Sequence, residues 1–264
     1  MQAVLTMTSE TVRADGVADE ATIDARGLPY RALNEQIAAC AEGGARHIRV
    51  RGVLGQRYLG TSLQREVRLS VEGIPGQDLG AFMDGPEIEV FGHAQDGCGN
   101  TMNAGSIVIH GSAGDVVGLS MRGGRILVRD NVGYRVGIHM KEYEAVKPSI
   151  VIGGTAQHFL GEYMAGGTLI VLGRHLGEGE VHPSRYIGTG MHGGAIYIRG
   201  RVDRDYLGKE VGAVEPTGED LWLVQQHVAD YARAFGLDPA ALLDRPFTKL
   251  VPLTRRPYGR LYAT

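Results

Sequence analysis

Few stretches of this chain carry residue types that could run a reaction. Gly97-Cys98-Gly99-Asn100 has the glycine spacing of half a phosphate loop, and Cys98 is a nucleophile by type. No helical pattern follows it to present backbone N–H groups to an anion. No cationic neighbour stands beside the cysteine to lower its pKa. His139, His158 and His192 recur near glycines, but no two of them have the spacing of a metal-ligand pair. His175 and His182 flank an acidic turn with Glu178 and Glu180. That cluster could take a cation, although a solvated loop is the simpler account. Lys141, Glu142 and Tyr143 form a charged protrusion that suits either solvent or an interface. Arg255, Arg256, Tyr258 and Arg260 near the C-terminus have the guanidinium and aromatic character of interface anchors. No Ser/His/Asp set and no paired carboxylates can be assembled from spacing. The expectation is a scaffold with no catalytic, cofactor-binding or metal-ligating residues of its own.

The elements that position these residues come from a tandem repeat between about Ile48 and Gly200. Taking Gly52, Gly73, Gly92, Gly111, Asp130, Gly154, Gly173 and Gly200 as anchors gives a 19-residue period with two insertions. Nine residues before the anchor stands a methionine, as at Met83, Met102, Met121, Met164 and Met191. Met140 joins them once its insertion is discounted. Twelve before stands a glycine: Gly80, Gly99, Gly118, Gly137, Gly161 or Gly188. Two and four before stand aliphatics, from Ile48/Val50 to Ile196/Ile198, on one face of a strand. At about 3.3 Å per residue the period traces about 60 Å, enough for one β-helix coil and too short for a βαβ unit. The fold expected is an all-β solenoid, a right-handed parallel β-helix of about seven to eight coils with glycine corners.

Composition bounds the rest. The chain has 264 residues, a net charge of −3 and 40 glycines, an excess that the corners explain. There is no basic stripe for nucleic acid, no apolar run for a membrane and no secretory signal. The two cysteines, Cys40 and Cys98, fit a cytoplasmic protein with reduced thiols.

The expected organisation is a flexible leader (1–22), an N-terminal strand and helix cap (23–47), the β-helix (48–210), and C-terminal helices with an extended arm laid on another surface (211–264). Helical spacing covers Pro29 to Glu42, and Leu221, Val224, Val228, Tyr231 and Phe235 mark a second amphipathic helix. Three residues before each anchor, side chains face outward. Arg49, Ser70 and Glu89 are polar there, whereas Val108, Leu127, Val151, Ile170 and Tyr197 are apolar. An apolar outer column must be covered, by the C-terminal helix or by a partner subunit.

Four segments carry a family resemblance: FMDGPEIEVFGHAQDGCGNTMNAG (82–105), GYRVGIHMKEY (133–143), FLGEYMAGGTLIVLG (159–173) and GTGMHGGAIYIRG (188–200). They resemble the GXGXG family, with likeness running from about Ile23 to Tyr258. The family includes the C-terminal β-helix domain of the glutamate synthase large subunit and its free-standing versions. It also includes one of the subunits of N-methylglutamate synthase and one of those of formylmethanofuran dehydrogenase. MKEY and the ending FTKLVPLTRRPYGRLY look most like the free-standing glutamate synthase form. The resemblance implies a β-helix that holds a glutamine amidotransferase subunit and an FMN/iron–sulfur synthase subunit. Gln2 stands where an amidotransferase would need an N-terminal Cys nucleophile, and there is no cysteine cluster for an iron–sulfur centre, so both activities, with FMN and the cluster, are expected in those partners. A subunit of N-methylglutamate synthase or of a formylmethanofuran dehydrogenase/formyltransferase-type complex is the alternative within the family, and a stand-alone β-helix enzyme the alternative outside it.

Overall fold

The computed structural model describes residues 19–64 and 66–254. The strands are β1 (Glu20–Asp24), β2 (His47–Leu54), β3 (Arg68–Ile74), β4 (Asp84–Phe91), β5 (Ala104–Ile109), β6 (Arg125–Val128), β7 (Ser149–Ile152), β8 (Ala165–Val171), β9 (Gly193–Arg199), β10 (Val211–Val214) and β11 (Phe247–Pro252). The helices are α1 (Tyr30–Glu42), α2 (Gly218–Phe235) and α3 (Pro239–Leu242). Strands β1 to β9 stack in sequence order, each parallel to the last. The fold is a parallel β-solenoid.

The register is the one that the aliphatic spacing demands. Ile48, Leu69, Ile88, Ile107, Ile126, Ile150, Leu169 and Ile196 are successive Cα partners. Each is at most 1% exposed, and so is each repeat methionine. Burying one such side chain contributes on the order of 1.5–3 kcal/mol, so these inward ladders dominate the stability of the rod. The solenoid amounts to about six turns rather than seven to eight. The turn from β2 to β3 departs from the pattern, with Leu63 packed against the core where the methionine should stand.

The N-terminal cap starts earlier than the composition suggests. Glu20, Ala21 and Thr22, expected in the leader, belong to β1, which pairs with β2 as the first rung. Helix α1 sits between them in sequence and buries Leu33, Ile37 and Cys40 in the same core.

The largest correction concerns the C-terminal segment. Leu127, Val151, Ile170 and Tyr197 do form an outer column, and Val224, Val228 and Tyr231 of α2 cover it in a second core with Leu242 and Phe247. Val108 is half-buried at its edge. These five residues are therefore internal packing and not a partner surface. Thr217 and Asp220 close a capping box at the start of α2. The Tyr231 hydroxyl donates to the Arg129 carbonyl at 2.8 Å and lies where a Cβ on Gly153 would stand. Nor is the extended arm laid on another molecule over its described length. Strand β11 runs antiparallel between β9 and β10 and closes the sheet. Arg255, Arg256, Tyr258 and Arg260 lie outside the described residues.

Where the outer column is polar, Ser70 and Glu89 find local partners, whereas Arg49 Nε is buried with no hydrogen-bond partner among the described residues. Glu89 accepts from Arg68 at 3.0 Å and contacts His110 Nε2 at 3.0 Å, and His47 Nε2 lies 2.8 Å from the Ser70 hydroxyl.

Candidate functional site

The glycine corner is wider than its glycine. In each coil the residues two before and two after the corner glycine also take left-handed conformations. Gly97, Gly99 and Thr101 have φ of 74°, 68° and 54°. The flanking positions are mostly not glycine. Tyr58, Asp78, Val116, Arg135, Phe159 and Tyr186 precede the corners, and Ser62, Phe82, Ser120, His139 and Tyr163 follow them, all with φ between 51° and 64°. A side chain in that region costs about 1–2 kcal/mol, so the fold must hold it there.

Backbone hydrogen bonds do so. Each corner glycine from Gly80 to Gly188 donates to the preceding coil, as Gly99 N does to the Leu79 carbonyl at 2.8 Å. The flanking residues donate to the following coil, as Thr101 N does to the Leu119 carbonyl at 2.7 Å. At the last coil Glu210 Oε2 stands in for the next carbonyl and accepts from Gly190 N at 3.1 Å.

Over the last three coils this scaffold displays a layered aromatic edge. The His139 and Tyr163 rings stack at 5.4 Å and 9°, and Tyr163 lies over Gly190 where a Cβ would stand. Phe159 and Tyr186 stack at 5.0 Å and 16°, and the Arg135 guanidinium lies 5.5 Å from the Phe159 ring. Arg135 is held by buried Glu162 at 3.1 Å. Tyr163 and Tyr186 are nevertheless 46% and 54% exposed. Scattered exposed aromatics need no explanation, but rings aligned by the repeat and already fixed by stacking do. Such a face loses little entropy on docking. Sequence spacing alone does not reveal the two flanking columns. Gly97 and Gly190, each two residues from a corner glycine, are the available signal.

The other candidates separate on inspection. Cys98 is fully buried, and burial, followed by the nearby Asp96 and Asp78 carboxylates, pushes its thiol up to about 12. Three of the four N–H groups of the Gly97–Asn100 turn are spent, Gly97 on Asp115, Gly99 on Leu79 and Asn100 on Gly97, so the turn does not offer the row of free donors that a phosphate loop needs. Lys141, Glu142 and Tyr143 are exposed, immediately after the His139 corner, and Glu142 accepts from Gly167 N at 2.9 Å. They flank the aromatic edge. His158 Nδ1 accepts from Arg185 N at 3.3 Å, and His192 Nδ1 lies 3.1 Å from the Gly190 carbonyl. Among the described residues no group of three His, Cys, Asp or Glu is placed to hold a metal ion. A groove of about 790 Å³ lies between the second insertion and β11, away from the aromatic edge, with Arg201, Arg204 and Arg245 facing Glu178, Glu215 and Asp244.

His182 parts company with His175, which is exposed. His182 is 1% exposed, with Ala156 N 3.3 Å from Nε2 and Ser184 N 3.2 Å from Nδ1. Burial lowers its pKa to about 4. The unfolded chain then binds a proton at His182 more readily than the folded one. Its contribution to stability is complete above about pH 6.5 and is lost as pH falls toward 4, on the order of 3 kcal/mol in all. Denaturant melts across that range should show the slope, and His182→Gln should flatten most of it. His227, also lowered by burial, keeps the remainder.

Among the described residues no helix is long and apolar enough to cross a membrane. The family described as GXGXG motif matches residues 43–252. The uncharacterized protein MJ1350 of Methanocaldococcus jannaschii is 48% identical, over 92% of this chain and 97% of its own length. A chain of the formyltransferase/hydrolase complex (FhcABCD) of Methylorubrum extorquens, solved with methylofuran, superposes with a TM-score of 0.62 at 20% identity, over 88% of this chain and 95% of that one. That likeness is one of fold. Together with the corner geometry, the match over most of the length establishes that the chain belongs to the GXGXG family.

Proposed function

We propose that this chain is a non-catalytic β-helix subunit of a glutamate synthase-type complex. A glutamine amidotransferase and an FMN/iron–sulfur oxidoreductase, both on partner chains, would carry out glutamate formation from glutamine and 2-oxoglutarate. The observation that carries the scaffold reading is the exposed, pre-stacked aromatic edge on a rod whose interior is otherwise sealed. The free-standing glutamate synthase subgroup rests on the MKEY segment after Met140 and on the chain's ending. The second reading, a subunit of a formyl-transfer complex, draws on the structural likeness to a chain of FhcABCD.

Co-purification from the native source tests both. An amidotransferase together with a flavin-bearing synthase subunit supports the first reading. An amidohydrolase and a formyltransferase support the second. If the chain purifies alone, and the partners work as well without it, both fail. Tyr163→Ala and Tyr186→Ala should each weaken assembly by about 2 kcal/mol while leaving the melting temperature of the free chain within a few degrees.

A further inference from the structure

Ahead of β2, the coil whose corner contains Gly60 is preceded only by β1 and helix α1, with no earlier glycine corner, and among the described residues that leaves one corner donor unspent. Six successive corner glycines give their N–H to the carbonyl of the preceding coil. Gly60 is the equivalent residue of the first corner, with φ of 71° and a buried position. Its N–H has no partner among the described residues. Leaving a buried donor without an acceptor is unfavourable, so the site favours any oxygen that reaches it.

Gly60 lines a pocket of about 330 Å³ between α1 and the first corner. Tyr30 and Tyr58 form an aromatic wall, their rings 5.8 Å apart, with Ile37 and Leu63 as apolar surface. Arg31 lines the same pocket, 3.3 Å from the Tyr30 hydroxyl. The Arg57 guanidinium stands 5.0 Å from the Tyr30 ring and 5.6 Å from the Tyr58 ring. Among the described residues it has no carboxylate partner. Glu35, one helical turn after Arg31, also lines the pocket and offsets one of the two guanidinium charges. The local balance stays positive.

We infer that this pocket binds a small carboxylate with a flat or apolar body. The carboxylate oxygen takes the place of the carbonyl that an earlier corner would supply to Gly60 N–H, beside Arg31, and the body lies against Tyr30, Tyr58 and Leu63. The pocket is at the lower end of the volumes that ligand sites occupy. A charge-assisted hydrogen bond to a carboxylate is among the stronger polar contacts.

Titration of the full-length ¹⁵N-labelled chain with benzoate tests this, followed by NMR. The Gly60 amide should move downfield and saturate, and Arg31→Gln should weaken binding roughly tenfold, in line with one lost charge-assisted bond. Ala38→Leu, which fills the pocket from α1, should abolish the shift, and a thermal melt would confirm that the variant folds. Inorganic phosphate, which lacks the apolar body, should bind more weakly. A Gly60 amide unmoved by benzoate would mean that water serves the position, and would overturn the proposal. Phosphate binding as tightly as benzoate, or undiminished binding in folded Ala38→Leu, would overturn it as well.

Discussion

Gly118→Val is expected to lower the melting temperature by about 10 °C, whereas Arg125→Val should leave it within about 2 °C. Gly118 has φ of 70°, a region in which a β-branched residue is a genuine outlier. The added Cβ would stand well inside van der Waals contact distance of Ile150 Cδ1, in the buried ladder of the next coil. The conformational penalty is about 1–2 kcal/mol and displacing the ladder adds about 1–3 kcal/mol. Arg125 faces outward and pairs with Asp230 at 3.2 Å, with both side chains more than a third exposed. Such a pair is worth less than about 1 kcal/mol, and valine suits a strand. Equal melting temperatures for the two variants would contradict the coil register.

Asp220→Ala is the second large effect, expected to cost about 3 kcal/mol. Asp220 Oδ1 accepts from the Tyr197 hydroxyl and from Lys249 Nζ, each at 2.6 Å, and Oδ2 accepts from Thr217 N and its hydroxyl at 2.8 Å. Burial alone would raise this carboxyl, but the donors from Lys249, Tyr197 and Thr217 outweigh it and hold the group below the usual carboxylate range. Its contribution is therefore present above about pH 4 and lost only in stronger acid, outside the window in which His182 titrates. Truncation leaves the ammonium and the Tyr197 hydroxyl, which is 2% exposed at residue level, without their acceptor and removes the capping box of α2. Breaking a buried pair costs about 3–5 kcal/mol, and the partial exposure of Lys249 places the change at the lower end. Loosening α2 should also uncover Leu127, Val151 and Ile170, read as increased binding of a hydrophobic dye. A loss below about 1 kcal/mol would show that α2 is held by its apolar face alone.

The rod is legible in the sequence because a solenoid repeats its physics. Pairs such as Ile107/Ile109 recur at one spacing, and the inward methionines and corner glycines follow from the same winding. The C-terminal cover is half legible. The periodicity of Leu221 to Phe235 announces a helix, and the apolar column from Leu127 to Tyr197 announces a surface in need of cover. That the one covers the other depends on how the chain returns, and spacing carries no such information. Strand β11 reads as an arm in the sequence because three prolines, Pro246, Pro252 and Pro257, suggest an extended segment laid on another surface. The aromatic edge is the least legible. Left-handed conformations at Arg135, Phe159 and Tyr163 are imposed by hydrogen bonds to neighbouring coils, and only the glycines at the equivalent positions, Gly97 and Gly190, hint at them.

We propose that the aromatic edge of the last three coils would join this chain to the catalytic subunits named above. A photo-crosslinking residue placed at Tyr163 in the native complex, compared with one at exposed Gln225 on α2, tests it most directly. Capture of an amidotransferase or flavin-bearing subunit at position 163, with none at 225, is the predicted result. Capture of those subunits at 225 and not at 163 would contradict the account.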